Sequence, residues 1–510
     1  PERGLSDGPV RWLEHPRWAF GALLAELLFP DNNNSATNRL IVRVAVLSRS
    51  VRCHARQPGG SAGCAQLPAA LERAVRLDDS GAMSDASIVA ELAASARTVG
   101  GPECTLTSEQ VSSFIADALG AADLDGKSVC LIIPDGTRSM PLPEVLREVH
   151  KSLHGRVTKL TAMIALGTHI PMSDAALAHH LGYDEGRLEQ TYPGMTVLNH
   201  EWDKPETFVT LGTISAERVS ELSEGLLAVE ASVSLNRCVV EHDVCLVIGP
   251  VFPHEVVGFS GGNKYFFPGI AGQQIIDLTH WVGALITSAQ IIGTLGITPV
   301  RALINEAASM IPSEKLALCA VAKSGTHDMH ALTFGTTEAA WAAAALTSAQ
   351  THVRYLDAPV KRVVSIIPTK YEDIWTAAKG FYKLEPVVAD GGEVIIYAPH
   401  VKDLSFVHQE IYEIGYHCRD YFVKQWDLFS AIHWGVLAHS THLRGAGTYD
   451  EVEGEKCRVD VTLVTGIDKD KVLKANLGYL AVEDFDLAAY EADPDTMVVP
   501  NAGETLFRLR

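Results

Sequence analysis

Three apolar runs, each ending in a polar loop, constrain this 510-residue chain more than any other feature. Residues 128–133 and 244–249 are nearly continuous aliphatic stretches of strand length, and about 157–166 is a third apolar strand. Strands read this way when both faces of a parallel sheet are covered by helices. Asp135 and Arg138 follow 128–133, His169 follows 157–166 and His254 follows 244–249. A doubly wound sheet gathers such loops at one edge, where ligands bind.

The intervening sequence supplies the helices. Thr107-x-x-Gln110 is a capping box that predicts a helix through Leu119, and Pro143 in a first turn predicts another to about Leu153. The periodicity of 273–285 gives a helix with Gln273, Asp277, His280 and Ala284 on one face, and the Ala-rich 337–349 is plain helix former. The pattern restarts near Leu356 to Pro359 with a strand at 362–367, a polar loop, and a helix through about Lys383 that presents Glu372, Trp375, Thr376 and Lys379. Strands at 393–397 and 458–465 and a helix at 469–475 follow, and no element is assigned beyond Asp493. The expectation is two α/β domains, 83–356 and 357–510, with largely parallel sheets and an active-site cleft between them.

Residues 1–82 have a different texture. They contain arginine but no lysine, the first lysine being Lys127, and they include an Asn-rich run at 32–34. They are expected to be an atypical leader, either a disordered extension or a mis-set start, with Met83 resembling an ordinary first residue. A net charge of -20 disfavours nucleic acid or an anionic membrane as partner. No apolar run suits a membrane span, and nine cysteines without a CxxC pair fit a reducing cytoplasm.

The richest stretch is Pro253-His254-Glu255-Val256-Val257-Gly258-Phe259-Ser260-Gly261-Gly262-Asn263-Lys264, continued by Pro268-Gly269-Ile270-Ala271-Gly272 and His280. Its glycines permit tight turns and close approach to a ligand. It is not a P-loop, because the spacing is absent and Tyr265 stands where a magnesium-binding hydroxyl would be. His169 and His254, on opposite sides of a cleft, could each move a proton near neutral pH, as inversion of a stereocentre requires. Arg138 offers a bidentate fork to a carboxylate, Lys379 a second cation, and Asp135 an orienting group or a cofactor-hydroxyl ligand. Lys264 could bond a cofactor covalently. His280 could ligate a metal that takes most of its other ligands from elsewhere. Residues 199–203 are either part of the rim or a solvated turn. The cluster of His417, Arg419, Tyr421, Trp426, His433, Trp434, His439 and His442 either lines a cleft or packs as ordinary aromatics.

In order, Pro134-Asp135-Gly136-Thr137-Arg138, Gly167-Thr168-His169, the 253–272 run, His280 and Lys379 resemble the nickel-dependent lactate racemase family. The resemblance covers most of the chain after Met83. It implies a nickel-pincer nucleotide (pyridinium-3,5-bisthiocarboxylic acid mononucleotide nickel) held covalently at Lys264, with Ser260, Gly261 and Gly262 around it and His280 completing the nickel coordination. It further implies that His169 and His254 deprotonate the hydroxyl from either face while the α-hydrogen leaves and returns as hydride. Arg138 and Lys379 then bind the anion, and Asp135 supports the site. The implied protein is a 2-hydroxyacid racemase or epimerase whose partners are a small 2-hydroxycarboxylate and the cofactor-synthesis machinery. Where lactate racemases have glutamine, Thr376 stands beside Trp375, so the pocket is expected to suit an acid other than lactate. The alternative is a non-catalytic ligand- or cofactor-binding protein on the same scaffold.

Overall fold

The computed structural model describes residues 85–510 except Thr168. The leader 1–82 lies outside the described residues. A seven-stranded sheet is built from β1 (Arg97–Gly100), β2 (Ser128–Pro134), β3 (Lys159–Ala165), β4 (Met195–Asn199), β5 (Val244–Pro250), β6 (Glu314–Ala322) and β7 (Met329–Thr336). Its order is β1-β7-β6-β5-β2-β3-β4. The five strands from β6 to β4 are parallel, and β7 pairs antiparallel with both β6 and β1. The chain leaves β2 toward β3 and later returns to its other side as β5, so the order reverses between β2 and β5. That is where open α/β sheets hold ligands.

Side-chain alternation explains the unbroken apolar runs. Val129, Leu131 and Ile133 enter one core with the helices α1 (Ser108–Gly120) and α2 (Leu142–Leu153), whereas Cys130 and Ile132 enter the core on the other face. The predicted capping box is present, with Thr107 and Gln110 satisfying each other's backbone N–H groups. On the second face lie α3 (Gln273–Ile286) and the Ala-rich α4 (Thr337–His352).

A second, entirely parallel sheet comprises β8 (Val360–Ile366), β9 (Val388–Ala398), β10 (Val459–Thr465), β11 (Gly478–Tyr479) and β12 (Thr496–Val499), in the order β11-β10-β9-β8-β12. Val363, Val394, Ile396 and Leu463 from this sheet share one continuous core with Val247, Trp281 and Val282. The tail without an expected element supplies β12 and a further strand, Leu506–Leu509, paired with Val353–Leu356. The helix expected through Lys383 is instead two short helices, Ile374–Ala377 and Lys379–Tyr382, separated by Ala378.

The two sheets are bridged beside the strand ends. Asp277 of α3 accepts from the Gly435 N–H (2.8 Å) in the first turn of α5 (Trp434–Arg444), placing a carboxylate at that helix's positive end. Trp281 of α3 stacks on Trp426 at 5.4 Å. Among the described residues, no helix is long and apolar enough to cross a membrane.

Candidate active site

A cavity of about 320 Å3 opens at the reversal between β2 and β5. Asp135, Arg138, His169, His254, Ser260, Gly261, Lys264, His280, Trp375 and Lys379 all line it. Gly262 and Thr376 do not belong to the lining. A Cβ at Gly262 would meet Trp341 Cβ at 2.8 Å, so the missing side chain makes room for α4. Thr376 turns its hydroxyl back to Asp373 Oδ1 (2.7 Å), the cap of its own short helix.

Two histidine-carboxylate pairs face this cavity. His169 Nδ1 lies 2.5 Å from Asp135 Oδ2, while Asp135 Oδ1 accepts from the hydroxyl (2.6 Å) and N–H (3.2 Å) of Thr137. Burial opposes ionisation of Asp135, but the charge and hydrogen bond of His169, together with Arg138, hold its carboxyl well below the usual range. A proton on His169 Nδ1 directed at Asp135 leaves Nε2 bare. His254 Nδ1 lies 3.2 Å from Glu255 Oε2 and equally 3.2 Å from the Val256 N–H. Burial first, then the charges of Lys264 and Arg138, push His254 well below the ordinary histidine value, so the ring is neutral. Glu255 resists protonation despite its burial because Lys379 and His442 favour its charged form.

Lys264 is held by a turn that the sequence builds redundantly. Ser260 accepts the Phe252 N–H (3.1 Å) and donates to the Pro250 carbonyl (3.2 Å), stapling the loop to the end of β5. Gly261 has φ +88°, and a Cβ there would lie 2.5 Å from Val251 Cγ2. Buried Arg301 donates to the carbonyls of Gly261 (3.0 Å) and Phe259 and stacks over Trp341 at 4.2 Å. Asn263 donates to Glu338 (2.7 Å) and Asn305 (3.1 Å). Lys264 thus projects from a fixed backbone, and burial with the nearby Arg138 lowers its ammonium to about 7. Lys379 falls to about 8, again chiefly through burial and then Arg138.

His280 donates Nδ1–H to the Ile276 carbonyl (2.7 Å), one helical turn back, and burial lowers its pKa. Its Nε2 is therefore a neutral donor atom for a metal. Among the described residues, two other groups have metal-ligand spacing, Cys130/Cys238/His242 and Cys418/Glu455/Cys457, and none of these six lines the cavity. An ion held at His280 would accordingly need donors from a bound group, while Lys264 supplies a reactive amine for fixing one. The residues present fit such a cofactor.

Several lining residues had no assigned role in the sequence: Glu255, Trp202, Tyr382, His408 and Glu410. Glu255 adjoins His254 and was legible as a carboxylate beside a base. Trp202 comes from the 199–203 loop and donates Nε1–H to the His169 carbonyl (3.0 Å), making that loop part of the rim. Its neighbour His200 is fully buried, and burial lowers it to about 4. Of the aromatic cluster, His433, His439 and His442 reach the cavity, whereas His417 and Tyr421 stack on each other at 3.7 Å away from it.

This arrangement defines a doubly wound α/β protein with a cavity lined by histidines, carboxylates and cations at its strand ends. The family described as the lactate racemase N-terminal domain matches residues 108–292. Lactate racemase of Thermoanaerobacterium thermosaccharolyticum is 30% identical over 158 residues, 30% of this chain and 32% of that protein. The sequence match thus spans about a third of that curated relative. A crystal structure of a protein from Thermotoga maritima superposes with a TM-score of 0.74 at 32% identity, covering 81% of this chain and all of that one. The lactate racemase apoprotein structure from T. thermosaccharolyticum gives 0.58 at 19% identity over the same shares, a likeness of fold alone. Identity to the Thermoanaerobacterium enzyme is therefore concentrated in the matched segment. The chain is homologous to the lactate racemase family.

Proposed function

We propose that this protein is a racemase or epimerase that inverts the α-carbon of a 2-hydroxyacid other than lactate, using a nickel-pincer nucleotide. The observation that carries the reading is the convergence, in one cavity, of an amine lowered to about 7, a histidine with a bare Nε2 and two histidine-carboxylate pairs. A plain carrier has no need of paired bases.

Lys264 would hold the nucleotide through a thioamide, and His280 would supply the protein's nickel ligand. When bound, the cofactor supplies a reversible hydride acceptor. Arg138 and Lys379 receive the substrate carboxylate, and the arriving anion favours the charged form of Lys379, which burial and Arg138 otherwise lower to about 8. His169 Nε2 takes the C2 hydroxyl proton from one face, with Asp135 stabilising the imidazolium that forms. His254 performs the same task on the other face once its Nδ1, which accepts the Val256 N–H in this structure, gives up that bond and carries a proton directed to Glu255. Between these events the substrate is a planar 2-oxoacid, which the carboxylate clamp retains. We also propose that 83–356 and 357–510 act as separate domains, a division supported by the separation of the two sheets along the chain.

The test is stereochemical. Protein from cells able to make the cofactor, incubated with single enantiomers of 2-hydroxyacids, should yield the opposite configuration at C2 by chiral chromatography. Nickel-loaded protein that leaves a broad panel of enantiomers unchanged would refute the proposal.

A further inference from the structure

Two sulfurs outside the cavity touch. Cys130, within β2, and Cys238, in the turn that precedes β5, are buried with their Sγ atoms 3.5 Å apart. His242 settles which sulfur donates. Its Nδ1 lies 2.7 Å from the Cys238 carbonyl, which can only accept, so Nδ1 carries the proton of the neutral ring and Nε2 accepts from the Thr161 hydroxyl (3.0 Å). The same Nδ1 lies 3.8 Å from Cys238 Sγ, which makes Cys238 the acceptor and Cys130 the donor of the sulfur pair. The bond from Cys130, and after it the one from His242, lowers the Cys238 thiol against its burial, while the bond to Cys238 and burial raise Cys130. One thiolate therefore sits against one thiol.

A metal ion would need the Nδ1 lone pair that the Cys238 carbonyl excludes, so these hydrogen bonds favour a dithiol over a ligand set. The position of the pair gives it a consequence. β2 leads into the loop of Asp135 and Arg138. Asn236, whose Oδ1 accepts the Cys238 N–H (3.0 Å), donates its own N–H to the Ile270 carbonyl (3.0 Å) in the run that carries Lys264. Its amide donates to His200 Nδ1 (3.1 Å) in the rim loop. A bond between the two sulfurs would join β2 to that brace.

We propose that Cys130 and Cys238 form a peroxide-sensitive dithiol, a modification site separate from the cavity, which closes to a disulfide and is reopened by a small thiol. The Cys238 thiolate attacks hydrogen peroxide, the O–O bond breaks, and a sulfenic acid and hydroxide result. The Cys130 sulfur then attacks that sulfur as its proton passes to the departing hydroxide, so that the S–S bond forms, the S–O bond breaks and water leaves. In sum, two thiols lose two electrons and two protons, and one peroxide becomes two waters. Cys238 keeps 6% of its surface exposed and Cys130 none, which matches this order of attack. The sulfurs must close by about 1.5 Å, a movement shared by two side chains. In a reducing compartment such a bond is transient and reports oxidant.

The experiment uses the full chain, reduced, treated with hydrogen peroxide, alkylated and digested without reduction. Peptide mass should find most of Cys238 joined to Cys130, two hydrogens lighter than the separate peptides, and dithiothreitol should abolish the joined species. Cys130→Ala leaves the attacking sulfur without its partner and should give a dimedone adduct at Cys238, whereas Cys238→Ala should give none at Cys130. The parent protein's peptide map decides the proposal even where a variant fails to fold. Full alkylation of both thiols after peroxide, or a joined species that appears only in urea, would overturn it. So would a bond from Cys238 to Cys245, whose Sγ lies 3.7 Å from the Val239 carbonyl in the same turn. About one zinc per chain in the parent, lost in Cys238→Ala, would assign the cluster to a metal and equally overturn it.

Discussion

Asp135→Asn removes one charge and almost no volume, so it isolates what the carboxylate does for His169. In the folded protein Asp135 Oδ2 lies 2.5 Å from His169 Nδ1, its other oxygen is taken by Thr137, and the residue is 6% exposed. A hydrogen bond to a charged group contributes about 1.5–3 kcal/mol, and that stabilisation is lost from the imidazolium formed on proton removal. At about 1.4 kcal/mol per decade, this alone lowers kcat/KM by about 10- to 150-fold. An amide NH2 turned toward Nδ1 would also force the proton onto Nε2, an error that costs about 10^4 in a serine-protease triad. The expected loss therefore lies between about 10- and 10^4-fold. Both reaction directions should fall together, because their ratio is fixed by the equilibrium constant. Steady-state assays on each enantiomer, with nickel content measured on the same preparation, give the answer. Fully loaded Asp135→Asn protein within threefold of the parent would refute the assignment of His169 as an Asp135-supported base.

Three further outcomes are expected. Lys264 in cofactor-free protein should acylate with a pH midpoint near 7, and competitive labelling read by peptide mass would contradict its buried, cation-flanked environment if the midpoint lay near 10. Arg301→Met strands the Gly261 and Phe259 carbonyls and should cost about 2 kcal/mol in urea unfolding while lowering Lys264 adduct occupancy; unchanged occupancy would show that the turn holds without the guanidinium. His200, His352 and His442 are all lowered to about 4, chiefly by burial, so the unfolded chain binds more protons than the folded one below about pH 6.5. Their stabilisation is present above that pH and is lost as pH falls toward 4. Between pH 7.5 and 5.5 each should cost roughly 1 kcal/mol, so flat unfolding free energy across that interval would contradict neutral burial.

Local rules recovered β2, β3 and β5 of the first sheet, whereas β1, β6 and β7 had no expected element. Those three strands are buried along nearly their whole length and therefore spell themselves out as apolar runs, and Thr107/Gln110 marks a helix start by chemistry confined to four residues. The loops after β2, β3 and β5 were legible as a site because topology brings consecutive strand ends to one edge. What was not legible depends on contacts between distant segments. Trp375 and Thr376 are neighbours in sequence, yet one faces the cavity and the other is tied to Asp373, which follows from a helix broken at Ala378. The wall formed by His408, Glu410 and His439 depends on α5 being docked through Asp277, 158 residues before Gly435. The last strands, 496–499 and 506–509, are short and gain their order by pairing with β8 and Val353–Leu356.

The central claim is that Lys264 and His280 together hold a nickel-bearing nucleotide in the cavity that contains the paired bases. Purifying the chain from cells that make the cofactor, and measuring intact mass, peptide mass at Lys264 and nickel on one sample, tests it most directly. The account predicts an adduct on Lys264 and about one nickel per chain, with nickel lost in His280→Ala. An unmodified Lys264 in metal-free protein from those cells would contradict it.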